Sequence, residues 1–274
     1  MTFQQKLNNI VQKNNSLLCI GLDSNLDKLP PTIKNQQNPL FEFNKKIIDT
    51  THDLVCAYKP NSAFYEAEGD RGVLQLKMTC DYIKQNYPEI PIILDAKRGD
   101  IGNTNFGYAK FAFDYLQADA LTVMPYMGIE SLTPYFKRDG KGIIIGCHSS
   151  NPGAKEFQEL LIDGKPLYQI VAQEIMKQYC TNPDCMIFMG ATFPDQIGEI
   201  RKIVGDMTIL VPGVGAQEGM LEKTLKIGLN SKKAGLIINS SRGIIYASTG
   251  EDFAQIAKEA AQNLKKQINN FRSL

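Results

Sequence analysis

Short, unbroken apolar runs recur along the chain, each closed on its C-terminal side by an acid, an amide, a hydroxyl or a glycine. Between them lie stretches in which apolar residues return every three or four positions. The runs read as buried strands and the spaced stretches as helices. A first strand over 16–23 ends at Asp23, and after a proline-containing loop a helix over 39–53 aligns Leu40, Phe43, Ile47 and Ile48. A second strand over 54–61 ends in Lys59, Pro60 and Asn61 and leads to a helix over 72–87. The third strand starts at Ile92, and its helix over 104–116 turns Phe106, Phe111 and Phe113 inward. Strands over 120–123, 142–147, 186–190, 208–211 and 236–239 continue the alternation, with helices over 129–137, 166–179 and 194–204 and a last amphipathic one over 251–269.

Strands that are apolar throughout belong to a parallel sheet covered on its outer face, and eight such units close a (β/α)8 TIM barrel. The chain of 274 residues fits a single barrel domain over 1–274. An open doubly wound sheet would carry a glycine-rich turn after its first strand. Asp23-Ser24-Asn25-Leu26-Asp27 has no glycine there.

Composition narrows the function classes. With 30 basic and 29 acidic residues the chain has no net field to hold a polyanion, which argues against nucleic-acid binding. The opening Met1-Thr2-Phe3-Gln4-Gln5-Lys6-Leu7 lacks the apolar core of a signal peptide, and no run reaches the length of a membrane span. A cytoplasmic protein without a membrane partner is expected. Of the six cysteines, Cys19, Cys56 and Cys147 lie within apolar runs, where reduced buried thiols are expected, and Cys180-x4-Cys185 has no second pair at finger spacing.

The chemistry collects where strands end. In Ile92-Ile93-Leu94-Asp95-Ala96-Lys97-Arg98-Gly99-Asp100 a β-branched run passes abruptly into acid, base and glycine. If the strand alternation persists, Asp95 and Lys97 point to one side and Ala96 to the other. Opposite charges sharing a small space favour one another's ionised forms. An isolated D-x-K is more commonly an exposed pair worth little. On a barrel, however, Asp23, Lys59, Asn61, Asp95, Lys97, Ser149, Ser150, Gln217 and Arg242 all leave C-terminal strand ends and converge on one face. The exits of the seventh and eighth strands, Gly213-Val214-Gly215 with Gln217 and Ser241-Arg242-Gly243, read as a phosphate cradle of open backbone N–H groups and a guanidinium. The glycine-flanked segment 212–219 is the candidate lid. His148, at a strand end beside two serines, reads as a hydrogen-bonded structural residue.

Asp95-Ala96-Lys97-Arg98-Gly99-Asp100-Ile101-Gly102-Asn103-Thr104, Val211-Pro212-Gly213-Val214-Gly215-Ala216-Gln217 and Ser241-Arg242-Gly243 resemble the orotidine 5′-phosphate decarboxylases. Leu22-Asp23, Tyr58-Lys59-Pro60-Asn61, Ser150-Asn151-Pro152-Gly153 and Gly190-Ala191-Thr192 stand in that family's order, the last in the manner of its longer-chain bacterial branch. The resemblance implies conversion of orotidine 5′-phosphate to uridine 5′-phosphate and CO2 with no cofactor and no metal. It implies catalytic roles for Lys97, Asp95, Lys59 and Asp100, with Lys97 protonating pyrimidine C6. It implies substrate contacts for Asp23, Asn61, Ile101, Thr104, Ser149, Ser150, Pro212, Val214, Gln217, Ser241 and Arg242. It also implies a homodimer in which Asp100, Ile101 and Thr104 enter the neighbouring subunit's site. Ser240-Ser241 precedes Arg242 where many relatives carry glycine. Two alternatives remain: a sugar-phosphate lyase or decarboxylase such as hexulose-6-phosphate synthase or 3-keto-gulonate-6-phosphate decarboxylase, which shares D-x-K-x-x-D but uses Mg2+, and a barrel that only binds a nucleotide phosphate.

Overall fold

The computed structural model describes residues 1–213 and 218–273. Its eight parallel strands are β1 (Leu18–Gly21), β2 (Ala57–Lys59), β3 (Ile93–Arg98), β4 (Ala120–Val123), β5 (Gly142–His148), β6 (Cys185–Met189), β7 (Ile209–Pro212) and β8 (Leu236–Ser240). Each strand except β2 pairs along a ladder with the next, and β8 returns to β1 with Leu18 opposite Ile238. The remaining seam, β2 to β3, is held by single bridges at Tyr58–Ile92 and Asn61–Asp95, with Tyr58 N–H donating to the Pro91 carbonyl at 3.0 Å and Asp95 N–H to the Pro60 carbonyl at 2.9 Å. The chain is a (β/α)8 barrel. Strands such as β1, β4 and β6 are buried at every position, as expected of a sheet wrapped on its outside by helices.

Several helices match the apolar spacing closely: Pro39–Thr51 buries Leu40, Phe43, Ile47 and Ile48, while Leu167–Tyr179 and Pro194–Val204 cover β5 to β7. Others depart from it. Gly69–Asn86 starts earlier, residues 129–137 divide into a 3₁₀ turn (Ile129–Leu132) and a helical turn (Thr133–Phe136), and the last helix is Phe253–Ser273. The helix after β3 begins at Gly102 and continues from Ala109 into a π-helical segment, Lys110–Tyr115, in which Leu116 N–H reaches back to the Phe111 carbonyl at 3.0 Å. Its inner face is Asn105, Ala109, Ala112, Phe113 and Leu116. Phe106, expected inward, is therefore rotated into solvent, because the buried Asn105 takes the adjacent inward position.

The spacing of Phe3, Leu7, Ile10 and Val11 forms a helix, Phe3–Lys13, opened by a reciprocal cap in which Thr2 Oγ1 accepts from Gln5 N–H at 3.2 Å and Gln5 Oε1 from Thr2 N–H at 3.0 Å. It packs across the N-terminal ends of the strands: Phe3 lies where a Cβ on Gly142 would stand, and Gln4 N–H donates to Asp184 at 2.9 Å. Lys6 pairs there with Asp119 at 3.1 Å, and Asp119 also takes Lys84 at 2.6 Å and Ile92 N–H at 2.9 Å. Burial alone would push the Asp119 carboxyl up, but the two ammonium groups and the backbone donor hold it below the usual carboxylate range. A two-stranded hairpin, Leu161–Ile162 with Lys165–Pro166, projects between β5 and Leu167–Tyr179. Among the described residues no helix is long and apolar enough to cross a membrane.

Because Asp119 neutralises the buried Lys6 and bonds the first residue of the β3 run, Asp119→Ala should lower the unfolding free energy by about 3–5 kcal/mol. Urea unfolding measures this; a loss below about 1 kcal/mol would show that the cluster does not anchor the N-terminal helix.

Candidate active site

The site is built at the C-terminal ends of β1, β2 and β3. Lys59 closes β2 with a side chain 2% exposed, so its ammonium needs anionic partners. Asp95 supplies the first: Lys59 Nζ lies 2.8 Å from Asp95 Oδ2. Asp23, at the β1 exit, supplies the second at 3.9 Å through Oδ1, a buried oxygen that accepts no hydrogen bond from the described residues. The other oxygen of Asp95, Oδ1, takes Lys97 Nζ at 2.7 Å and the Thr122 hydroxyl at 2.9 Å. Asn61 adds a long contact of 3.5 Å to Oδ2 and caps the helix Ser62–Glu66 through Ala63 N–H. The result is an alternating chain of charge, Asp23, Lys59, Asp95, Lys97, buried in its two middle members and ending at the mouth in a side chain 46% exposed.

Burial on its own would raise the Asp95 carboxyl, but Lys59 and Lys97 reverse that and hold it well below the usual carboxylate range. Burial would likewise lower the Lys59 ammonium, and Asp95 and Asp23 instead hold it well above the usual lysine range. Both groups are thus charged across the neutral range. The association of Asp95 with Lys97 does not come from strand alternation, as the spacing suggested. Lys97 has φ 46° and the β3–β4 register shifts between Leu94 and Arg98, so a bulge turns the lysine back towards its neighbour's carboxylate. The Lys97 ammonium also stands 5.9 Å from the centre of the Phe188 ring.

The remaining expected residues divide into two groups. Ser150 sits where the exits of β5, β6 and β7 meet: a Cβ on Gly190 would lie 2.6 Å from Ser150 N, and one on Gly213 3.7 Å from Ser150 Oγ. Pro212 ends β7 half-buried, and Arg242 is exposed on the short helix Arg242–Ile245. Ser241 packs on Gly21, where a Cβ would come within 1.8 Å of its hydroxyl. Ser149 is turned to its own loop, donating to Asn151 Oδ1 at 2.5 Å and accepting from Gln158 Nε2 at 3.1 Å. Asp100, Ile101 and Thr104 do not join the charged chain: Asp100 Oδ1 accepts Ile101 N–H at 2.6 Å, and Ile101 and Thr104 face solvent. Val214 and Gln217, together with half of the candidate lid, lie outside the described residues.

Some residues that shape the site gave no warning in the sequence. Asn105 holds the Asp100 loop by accepting Asp100 N–H at 3.1 Å and donating to the Asp100 carbonyl at 2.7 Å. The Tyr246 hydroxyl, at the end of the Arg242 helix, accepts Asn25 N–H at 2.6 Å and donates to the Asp23 carbonyl at 3.2 Å. Only the polar residue type at a helix start or end hinted at either. His148 fulfils its structural reading, with no exposed side chain and Nε2 3.1 Å from Glu159.

A family model described as orotidine 5′-phosphate decarboxylase / HUMPS matches residues 16–257. The chain belongs to this family. Orotidine 5′-phosphate decarboxylase of Cellvibrio japonicus is 50% identical to it over 275 residues, covering 100% of both chains. That of Cupriavidus metallidurans is 46% identical over 272 residues, covering 99% of each. The solved structure of Leishmania donovani OMP decarboxylase superposes with a TM-score of 0.85 at 33% identity, again over 100% of both chains. Within the orotidine 5′-phosphate decarboxylase / HUMPS family, the D-x-K-x-x-D run is thus placed here at the bulged end of β3, with its first acid and its lysine in direct contact.

Loss of the Asp95 charge leaves a buried ammonium without its main partner. Asp95→Asn should lower stability at pH 7 by about 3–5 kcal/mol. The Asp95 contribution is present above the unfolded carboxyl value near pH ~4 and fades as the pH falls towards its depressed folded value, so the deficit of the variant should shrink in acid. Denaturant titrations between neutral and acid pH check the sign; a deficit that grows on acidification contradicts it.

Proposed function

We propose that this chain decarboxylates orotidine 5′-phosphate to uridine 5′-phosphate and CO2 without metal or organic cofactor, Lys97 supplying the proton. The C6–carboxylate bond breaks, CO2 leaves, and the electron pair remaining at C6 takes a proton from Lys97 Nζ, which solvent then restores. That carbanion has no adjacent carbonyl to receive its charge, so the protein must provide a fixed positive group at the carbon. The observation that carries the reading is the Asp23, Lys59, Asp95, Lys97 chain, which presents an ammonium already held at 2.7 Å by a carboxylate that is itself locked from the other side. A preset array needs no reorganisation as charge develops.

The other roles follow from position. Asp23 Oδ1 accepts no hydrogen bond from the described residues and suits a ribose hydroxyl, with Lys59 beside it and Asn61 on the Asp95 side of that lysine. Ser150 suits the pyrimidine, with Ser149 shaping its loop. The family resemblance, rather than position, assigns Pro212, Val214, Gln217, Ser241 and Arg242 to the phosphate end, where contacts remote from the reacting bond contribute binding energy to closing the 212–219 segment. Ile101 and Thr104, beside part-buried Asp100, face outward together with exposed Phe106, Tyr126 and Met127, which supports a homodimer in which this edge completes the neighbouring site. The family model also spans metal-dependent sugar-phosphate enzymes, and the nucleotide reading is favoured by the curated relatives at 46–50% identity.

Chelator-treated protein should still consume orotidine 5′-phosphate, followed by the change in ultraviolet absorbance; activity lost to chelator and restored by Mg2+ points to the sugar-phosphate branch. Lys97→Ala should lower turnover by at least about 10³-fold while retaining uridine 5′-phosphate binding, because it removes both proton and counter-charge. Mixing Lys97→Ala with Asp100→Ala subunits should recover part of the activity, since a hybrid dimer contains one site with both residues. No recovery despite demonstrated subunit exchange removes the shared site.

A further inference from the structure

Between Leu94 paired with Leu121 and Arg98 paired with Val123, β3 holds Asp95, Ala96 and Lys97 while β4 holds Thr122 alone. Such a bulge strips backbone donors of their ladder partners, and buried N–H groups left bare are costly. The Thr122 hydroxyl receives them: Ala96 N–H and Lys97 N–H each donate to Oγ1 at 3.0 Å. A hydroxyl has two acceptor sites and one proton. With both acceptor sites filled, its proton is left for Asp95 Oδ1, 2.9 Å away, and that oxygen must then be an acceptor, as its lowered pKa requires. Thr122 is 1% exposed, so water does not compete for these bonds.

We infer that Thr122 is a positioning residue for the decarboxylation, acting through Asp95 and Lys97 rather than on the substrate. One hydroxyl fixes the left-handed backbone of Lys97 at φ 46° and the rotation of the carboxylate that holds its ammonium. A threonine so employed differs from the usual strand threonine, which only packs its methyl and bonds one neighbour. The inference rests on the proposed activity of the same site.

The test compares Thr122→Val, which keeps the shape and removes the hydroxyl, with Thr122→Ser, which keeps the hydroxyl and removes the methyl. In Thr122→Val, kcat for orotidine 5′-phosphate should fall about 10- to 100-fold with uridine 5′-phosphate affinity changed less than about threefold, the scale expected when a reacting group is misplaced. The side-chain carboxyl 13C resonance of Asp95 at neutral pH should also move, because its Oδ1 has lost the Thr122 donor. Thr122→Ser should keep kcat within about threefold of the parent. Unchanged kcat and Asp95 carboxyl resonance in folded Thr122→Val, or an equal loss in folded Thr122→Ser, overturns the inference. If Thr122→Val does not fold, both criteria are read from Thr122→Ala. A parent protein inactive on orotidine 5′-phosphate defeats the proposed function instead, and the role of Thr122 in setting Asp95 is then read from the Asp95 carboxyl 13C resonance at neutral pH in parent and variants.

Discussion

One carboxylate, Asp95, governs the site because both of its oxygens are committed to ammonium groups that have no other compensation of equal quality. Lys59 is taken out of water and survives as a cation only through Asp95 and Asp23. Lys97 is held at the mouth by the opposite oxygen. The arrangement places a positive charge where a reaction can use it while cancelling that charge against fixed neighbours when the site is empty. A buried ion pair of this kind adds little to net stability beyond what burial costs. Its value lies in directional order, which a solvated lysine lacks.

Much of this was legible from the chain. Apolar runs that end at Asp23, Lys59 and Asp95 could be recognised as strand mouths because parallel strands are buried on both faces and stop where polarity begins. Their convergence followed from the barrel alone. The geometry between Asp95 and Lys97 was not legible, since a period of two predicts the correct partners for the wrong reason and a bulge at a non-glycine residue leaves no compositional mark. Thr122 was invisible for a related cause: threonine is ordinary in a strand, and its threefold bonding depends on a register shift in the neighbouring strand. Phe106 misled because three phenylalanines in a helical stretch invite an apolar face, whereas the face was set by Asn105, a polar residue fully occupied with Asp100, Ser131 and Tyr135.

The two ends of the barrel show different uses of the same physics. Asp119, at the N-terminal end, gathers Lys6, Lys84 and a backbone donor, and its effect is to seat a helix. Asp95, at the other end, gathers two lysines and a hydroxyl on a bulge, and leaves one ammonium partly open. Burial and pairing are alike in both. The difference is exposure on one side, which family membership and the catalytic ends of (β/α)8 barrels give a chemical meaning.

The β2–β3 seam is spanned by two isolated bridges, and the Lys59–Asp95 pair crosses the same gap. The bond that arranges the charges is consequently also a rivet in the wall of the cylinder. A variant that neutralises either partner should therefore loosen this seam, so any fall in turnover it shows contains a mechanical part. A nucleotide bridging these two strands would, by the same token, act as a clamp on the weakest joint of the scaffold.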